Sequence, residues 1–573
     1  MSRSRTLPAA TRPKRLPLTG VLRLGRLNDT WFKPASGVTS ASLVPLITLY
    51  ALGRLDLAAY TMAGSMCALY GHNLPYAARS RAVLWVILGM TGSVALAMVT
   101  SALTDSVPVL IAVGAVLVAL QKTVCEASRI GPPGPVVFAF ISSATLFVPQ
   151  TFGSVPGHLA LTLGAAALAW CVTMAPGLVR PNGPERRATA RALEAAAAAV
   201  AAPGPGPAAD GARAAAAAGV HTAWQTLYAA RRRTPERRAL ERLVVRAEVA
   251  LAAPGDSDPE ALRRIASQVR GTRPLPRPEG LDDRALAELA GIDIERARAP
   301  RSQHPVLRAF APGSTLLPVA LRTLTGSALA GYVAHALGSD RPYWAIVTAV
   351  SLYQSNLTLS WNRAVQRVVG NLVGVGVFAA LSPLPRAASV WLVVLVLVLS
   401  FGAEACMPRN YWLGSCCVTP MALLISEFSQ FHGAGELIGD RVLDTVLGAA
   451  VGILAALAVT NRRAGAHLEH ALATADRTRA EAAVLLARPE AGASALESAR
   501  RRLGAALVEL RGAADAAAGE WWQRALPEQQ VLDVERAGHR TLAATVERQG
   551  LVAVRAPERR PAEKDVARED AAV

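Results

Sequence analysis

Residues 107–124 read VPVLIAVGAVLVALQKTV. No charge interrupts the run before Lys122, and Pro108 near its start suits the first turn of a helix. A bilayer core takes about 20 mostly apolar residues per helix. A stretch of this length with no polar stripe reads as a membrane span, not as one face of a soluble bundle.

Similar runs lie on both sides. Val38–Leu52, Leu57–Asn73 and Val83–Ser101 precede it, and Pro135–Pro149 and Gly157–Val179 follow. A long polar segment intervenes. Then come Ser314–Leu337, Arg341–Leu357, Gln366–Leu381, Ser389–Cys406, Asn410–Glu427 and Gly439–Thr460. Turn formers such as Gly131-Pro132-Pro133-Gly134 and Ser382-Pro383-Leu384-Pro385 separate them. Several runs are short, which is tolerated in a membrane where neighbouring helices cover the ends.

Charge follows the same partition. The chain of 573 residues is 52% apolar and carries a formal net charge of +18. The segments 1–37, 181–312 and 461–573 hold 47 of the 60 Lys and Arg and 33 of the 42 Asp and Glu. The reading is an all-α, polytopic membrane protein with two six-helix transmembrane halves and helical cytosolic domains. The parts are a basic cytosolic arm (1–37), an N-terminal half (38–180), a helical cytosolic domain (181–312), a C-terminal half (313–460) and a helical cytosolic C-terminal domain (461–573). The end of the last part has the composition of a disordered tail.

Basic residues near span ends set orientation. Arg23, Arg26, Lys33, Arg180, Arg186, Arg187, Arg298, Arg301, Arg308, Arg462 and Arg463 fall on one side, with Arg79, Arg81, Lys122, Arg129, Arg363 and Arg409 in its short loops. The other side shows mainly Arg54, Arg341, Arg386 and Arg441. Both termini are therefore expected in the cytosol, in a multi-pass protein of the inner (plasma) membrane. A long basic arm precedes the first apolar run, so no cleavable signal peptide is expected.

The halves repeat. Tyr60, Leu69, Tyr70, Asn73 and Leu74 match Tyr343, Leu352, Tyr353, Asn356 and Leu357 at a constant offset of 283, each set in the second span of its half. An even span count in each half makes these parallel repeats, with a pathway between them as the natural place for a substrate.

In the second half, Arg341-Pro-Tyr343-Trp344-Ala-Ile-Val-Thr348, Arg363…Arg367-Val-Val-Gly370-Asn-Leu-Val-Gly374 and Arg441-Val-Leu-Asp444-Thr445-Val-Leu-Gly448 resemble the fusaric acid resistance (FUSC) family, whose relatives include aromatic carboxylic acid efflux transporters. The resemblance covers about Leu316–Thr460. Asn371 stands where the family pattern suggests Thr, and the first half lacks a clear RxxG counterpart. The resemblance implies an exporter of small aromatic or amphipathic carboxylic acids, driven by the proton gradient.

A charge at the bilayer centre costs about 2.5–3.5 kcal/mol or more, so each needs a partner, a cavity or an end position. Arg322 reads either as a fixed cation for an anionic substrate or as a snorkelling side chain. Arg322 and Arg367 would supply positive potential. Asp440 and Asp444 are one turn apart on a helix face, so either suits a proton carrier, while helix-terminal stabilisation is the plainer role for Asp440. Arg441 is expected to pair with one of them. Glu404 reads as an interfacial salt bridge near Arg409 or as a proton relay on the pathway, and Glu126 as a loop pair with Lys122. Tyr343, Trp344, Tyr411 and Trp412 read as an interfacial aromatic belt or as a stacking surface for an aromatic substrate. Gly370/Gly374 and Gly448/Gly452 have the spacing of close helix contacts.

The polar segments read as amphipathic helices, with starts at Thr234-Pro235-Glu236 and Asp258-Pro259-Glu260 and a linker at Pro203-Gly-Pro-Gly-Pro. Arg231-Arg232-Arg233 reads as a solvated or lipid-facing basic face, so anionic lipids and not nucleic acid are the expected partners. The six cysteines, Cys67, Cys125, Cys171, Cys406, Cys416 and Cys417, show no metal or disulfide spacing. No P-loop, HExxH or GxSxG occurs. No cofactor, no metal and no enzyme activity is expected, and a homo-oligomer is compatible with the pattern. The rival reading is a non-transporting scaffold whose cytosolic helices recruit partners.

Overall fold

The computed structural model describes residues 18–548, except 26–30, 203, 205, 231–233, 253, 272–273, 276–305, 307–308, 312–313, 315, 355, 429–430, 459–462 and 520–526. The triple arginine, Trp521-Trp522, Arg26, Arg298, Arg301, Arg308, Arg462 and the C-terminal tail lie outside the described residues. Among the described residues the structure is all helical, without a strand.

The first apolar block forms α1 (Phe32–Ala51), α2 (Ala58–Ser65), α3 (Tyr76–Leu103), α4 (Val107–Ser128), α5 (Pro135–Leu146) and α6 (Val155–Met174). A polar set follows: α7 (Gly183–Val200), α8 (Pro207–Ala229), α9 (Pro235–Ala252) and α10 (Pro259–Arg270). The second apolar block forms α11 (Leu317–Ala336), α12 (Tyr343–Leu352), α13 (Leu357–Leu381), α14 (Val390–Cys406), α15 (Tyr411–Ser426) and α16 (Ala434–Ala458). The chain ends in α17 (Arg463–Ala487), α18 (Ala493–Ala518) and α19 (Glu528–Arg548). Proline opens many of these helices, as at Pro108, Pro135, Pro156, Pro184 and Pro259. The first turn has no use for the missing N–H, and the ring fixes φ near the helical value.

Tyr76–Leu103, Val107–Ser128, Val155–Val179, Leu357–Ala387 and Ala434–Ala458 are long and apolar enough to cross a membrane. Their outer faces carry exposed Leu84, Trp85, Leu88, Leu96, Val116, Leu120, Leu163, Leu372, Val373 and Leu454. In water such a surface would be an aggregation site, and in a bilayer it is the lipid face. This is a multi-pass membrane protein. The other apolar runs are not twelve equal spans. Leu55–Leu69, α5, α12, α14 and α15 are shorter, and every residue of α12 is buried.

A short helix leaves carbonyls inside the apolar layer, and these must find donors. Beyond the second segment of the first block, Arg79 donates from Nε to Gly71 O (2.9 Å) and from Nη2 to His72 O (2.5 Å). Beyond α12, Lys122 of α4 donates to Tyr353 O at 2.7 Å. Lys122 also pairs with Glu126 at 2.7 Å, within α4 and not in a loop.

Packing follows a regular order. In the first block α1 packs on α2 and α6, α2 on α6, α3 on α5 and α6, and α4 on α5. In the second, α11 packs on α12 and α16, α12 on α16, α13 on α15 and α16, and α14 on α15. Across the blocks, α4 meets α11 and α1 meets α14. Small residues let backbones touch: a Cβ on Gly370 would lie 2.5 Å from Trp412 O, and one on Gly448 2.7 Å from Ala345 O.

The polar segments pack on each other, α8 with α18 and α9 with α19. Arg500 bridges Glu248 (2.9 Å) and Glu497 (2.6 Å), and the Arg501 guanidinium lies 3.5 Å from the centre of the Trp224 ring. The bundle touches the apolar part where Thr358 N and Oγ1 both donate to Gly519 O, at 3.1 and 2.9 Å.

Candidate functional site

The candidate site grows from α12 and α16. Their contact is close because Gly448 and Gly452 face Ala345 and Ala349. One turn before Gly448, α16 turns Asp444 and Thr445 inward, and a turn earlier Arg441. Arg441 is 1% exposed and Asp444 is fully buried. The Arg441 guanidinium lies 3.8 Å from the centre of the Trp344 ring. Its Nε and Nη1 meet no hydrogen-bond partner among the described residues. Arg441 forms no ion pair with Asp440 or Asp444. This corrects the expectation of an Arg441–Asp pair. Asp440 pairs instead with Arg341 at 2.8 Å, with Glu436 3.7 Å from the same guanidinium. A one-turn spacing shares a helix face but does not decide which helix that face meets.

Asp444 accepts from Ser339 Oγ at 3.0 Å, and its Oδ1 has no partner among the described residues. Beside it, Thr445 Oγ1 donates to Arg441 O at 2.7 Å and accepts from Asn371 Nδ2 at 2.8 Å. Asn371 Oδ1 accepts from Thr419 Oγ1 at 2.6 Å. The amide that departs from the family pattern thus bridges α13, α15 and α16. One turn earlier on α13, buried Arg367 donates to Tyr411 Oη at 2.8 Å, and Arg363 lies 3.9 Å from the centre of the Tyr411 ring. Arg367 is close enough to act electrostatically on Arg441.

Tyr343 and Trp344 do not form an interfacial belt. They are buried, and they stack with first-block rings: Phe140 on Trp344 at 5.4 Å and Phe147 against Tyr343 at 5.6 Å. Trp412 lies further out and donates from its indole to Leu22 O at 3.1 Å.

The structure therefore gathers Tyr343, Trp344, Arg367, Arg441 and Asp444 and leaves three sequence candidates outside. Arg322 is buried on α11 near Tyr353, at the far end of α12. Asp440 belongs to the Arg341 pair. Glu404, half-buried on α14, makes no ion pair among the described residues, which corrects the expected bridge near Arg409. Sequence reading missed Ser339, Thr419 and Thr445. Only Thr445 carried a signal, as the residue one turn after Arg441.

Residues 329–455 match the family model described as fusaric acid resistance protein-like. That stretch is similar to the FUSC family. It runs from α11 to α16 and contains every residue of the cluster. No curated protein and no solved structure matches the chain. The FUSC-like domain points to membrane transport. Its core holds two buried guanidinium groups, Arg367 and Arg441, a separate buried carboxyl, Asp444, and the rings of Tyr343 and Trp344, so that an anion could meet a cation beside an aromatic face. Among the described residues no group of His, Cys, Asp and Glu is placed to hold a metal ion.

Proposed function

We propose that this protein is an inner-membrane secondary exporter of small aromatic or amphipathic carboxylic acids, coupled to protons and with both termini in the cytosol. The observation that carries this reading is the buried Arg441 guanidinium over the Trp344 ring, with Nε and Nη1 unpartnered among the described residues. A buried unpaired cation is costly to keep unless a ligand completes it. A carboxylate can accept two N–H groups of one guanidinium, and an aromatic body attached to it would meet the Trp344, Tyr343 and Phe140 rings. A scaffold has no use for such a group in its interior.

Asp444 is the proton carrier in this reading. It is buried, accepts a hydrogen bond from Ser339 and, among the described residues, has no cation within ion-pair distance. Such a carboxyl can gain and lose a proton as the pathway opens to either side. Two parallel six-helix halves complete the proposal. The recurrence of one packing order in both apolar blocks supports it, as do the crossed contacts of α4 with α11 and α1 with α14.

Inverted vesicles with an imposed pH gradient test the proposal. Uptake of an aromatic acid should be gradient-driven and lost in Arg441→Gln and Asp444→Asn. If a panel of aromatic acids shows no gradient-driven movement, or both variants match the unsubstituted protein, the exporter reading is wrong.

A further inference from the structure

The first block carries a titratable ring of its own beside an aromatic face. His158 of α6 stacks on Tyr60 of α2, with ring centres 3.9 Å apart and planes 11° from parallel. The offset of 283 that relates Tyr60 to Tyr343 also relates His158 to Arg441 and Thr162 to Thr445. The local bonding repeats as well. Thr162 Oγ1 donates to His158 O at 3.0 Å, as Thr445 Oγ1 does to Arg441 O at 2.7 Å.

The helices repeat the close approach with the glycine on the opposite partner. In the first block Gly64 of α2 lies against Thr162 O and Ala166 N. In the second, Gly448 of α16 lies against Ala345 O. Thus α2 and α6 hold His158 over an aromatic face as α12 and α16 hold Arg441. Three things have diverged: Leu161 stands where the second half has Asp444, an imidazole replaces the guanidinium, and Thr61 stands where it has Trp344, so that the ring beside the imidazole is the counterpart of Tyr343.

Gln150 fixes the imidazole. Its Nε2 donates to Tyr60 Oη at 2.8 Å, so its Oε1 faces His158 Nδ1 at 2.9 Å and must accept from it. That leaves His158 Nε2 to bind a proton and to donate to a ligand. The charged groups nearest the ring are Asp56 and Arg54, which pair with each other at 3.0 Å. Tyr60 is the titratable group from α2. Lys33, Arg79 and Arg81, on α1 and α3, stand toward the other end of α6, where Arg79 donates to Thr173 O.

We infer that His158 and Tyr60 form a second binding position for an organic carboxylate, a diverged copy of the Arg441–Trp344 position, occupied only when the imidazole carries a proton. The inference rests on the proposed anion site at Arg441. It makes the halves unequal: one offers a permanent cation, the other a cation that pH switches.

Calorimetric titration of benzoate into the full chain in lipid nanodiscs tests this. The unsubstituted protein should bind two equivalents at pH 5.5 and one at pH 8. His158→Gln should bind one at both pH values. His158→Arg should bind two at both, which also shows that the fold tolerates substitution there. Arg441→Gln should lose the equivalent that persists at pH 8. One equivalent at both pH values in the unsubstituted protein, or two at pH 5.5 in His158→Gln, overturns the second position and leaves the Arg441 reading standing. If Arg441→Gln binds as the unsubstituted protein does, or nothing binds, the Arg441 reading fails and this one with it.

Discussion

The guanidinium carbon of Arg441 lies over the Trp344 ring, 3.8 Å from its centre, at the contact between α16 and α12. The stack gives a buried charge an aromatic neighbour in place of a carboxylate, and a desolvated cation–π contact is worth roughly 2 kcal/mol. That is less than a full ion pair would supply, so the guanidinium stays available to an anion.

Arg441→Lys should behave as a loss of function, not as a conservative change. An ammonium cannot present a planar fork to a carboxylate while lying on a ring. Gradient-driven uptake should fall at least ~10-fold, the equivalent of about 1.4 kcal/mol. Trp344→Phe should retain more transport than Trp344→Leu, because it keeps a ring face. Equal loss in the two Trp344 variants would show that the stack is irrelevant to transport.

Asp444→Asn should uncouple movement from protons. Substrate exchange at equal pH should persist while accumulation against an imposed gradient disappears. Ser339→Ala, which removes the Ser339 hydrogen bond to Asp444, should shift the pH dependence and keep accumulation. Accumulation that survives Asp444→Asn rules out this carboxyl as the carrier.

Gly448→Ala should destabilise the membrane part. The new methyl would sit 2.7 Å from Ala345 O and 2.8 Å from Thr348 Cβ, an overpacking that costs about 1–3 kcal/mol. Gly376→Ala, on a helix with nothing within 4 Å, is the control and should be neutral or slightly stabilising. Thermal unfolding in detergent should separate the two variants by several degrees.

Glu497→Gln should break the polar bundle. Burial by itself would raise the Glu497 carboxyl, but Arg500 and Arg501 overcome that and hold it below the usual carboxylate range. Removing the charge leaves two buried guanidinium groups under-compensated, at a cost of about 3–5 kcal/mol. The pH dependence follows from the lowered value. The contribution is present above the unfolded carboxylate value, ~4.3, and is lost as pH falls through the folded one. Protease resistance of α8, α9 and α18 should therefore fall in Glu497→Gln at neutral pH. In the unsubstituted protein it should fall only in acid.

Lys122→Met should weaken the joint between the blocks. It removes the shorter of two bonds to the buried Tyr353 carbonyl and leaves only Gln354 Nε2 at 3.2 Å, a loss of about 0.5–1.5 kcal/mol. Glu126→Gln, which leaves that bond in place, should cost much less. Similar melting temperatures for the two variants would show that the bond across the blocks is dispensable.

Much of the architecture was legible in the chain. Apolar runs such as Val107–Val124 mark helices because a backbone without water must bond to itself. The glycine pairs marked close contacts for a similarly local reason: a Cβ there would lie 2.5–2.7 Å from a carbonyl oxygen of the neighbouring helix, so only a residue without one fits. The lengths of α2 and α12 were less legible. Hydropathy continues past their ends, and the carbonyls beyond them take donors from elsewhere, Gly71 and His72 from Arg79 and Tyr353 from Lys122.

By itself the sequence determined an all-helical, multi-pass chain whose charges are sorted into polar segments, and it placed Tyr343, Trp344, Arg367, Arg441 and Asp444 among the residues to watch. Only the tertiary structure decided that Arg441 lies on Trp344, that Asp440 belongs to Arg341, and that His158 occupies the matching place in the first block. Helical spacing says which residues share a face. The neighbour that the face meets is set by how α2 packs on α6 and α12 on α16, and that contact joins segments about a hundred residues apart.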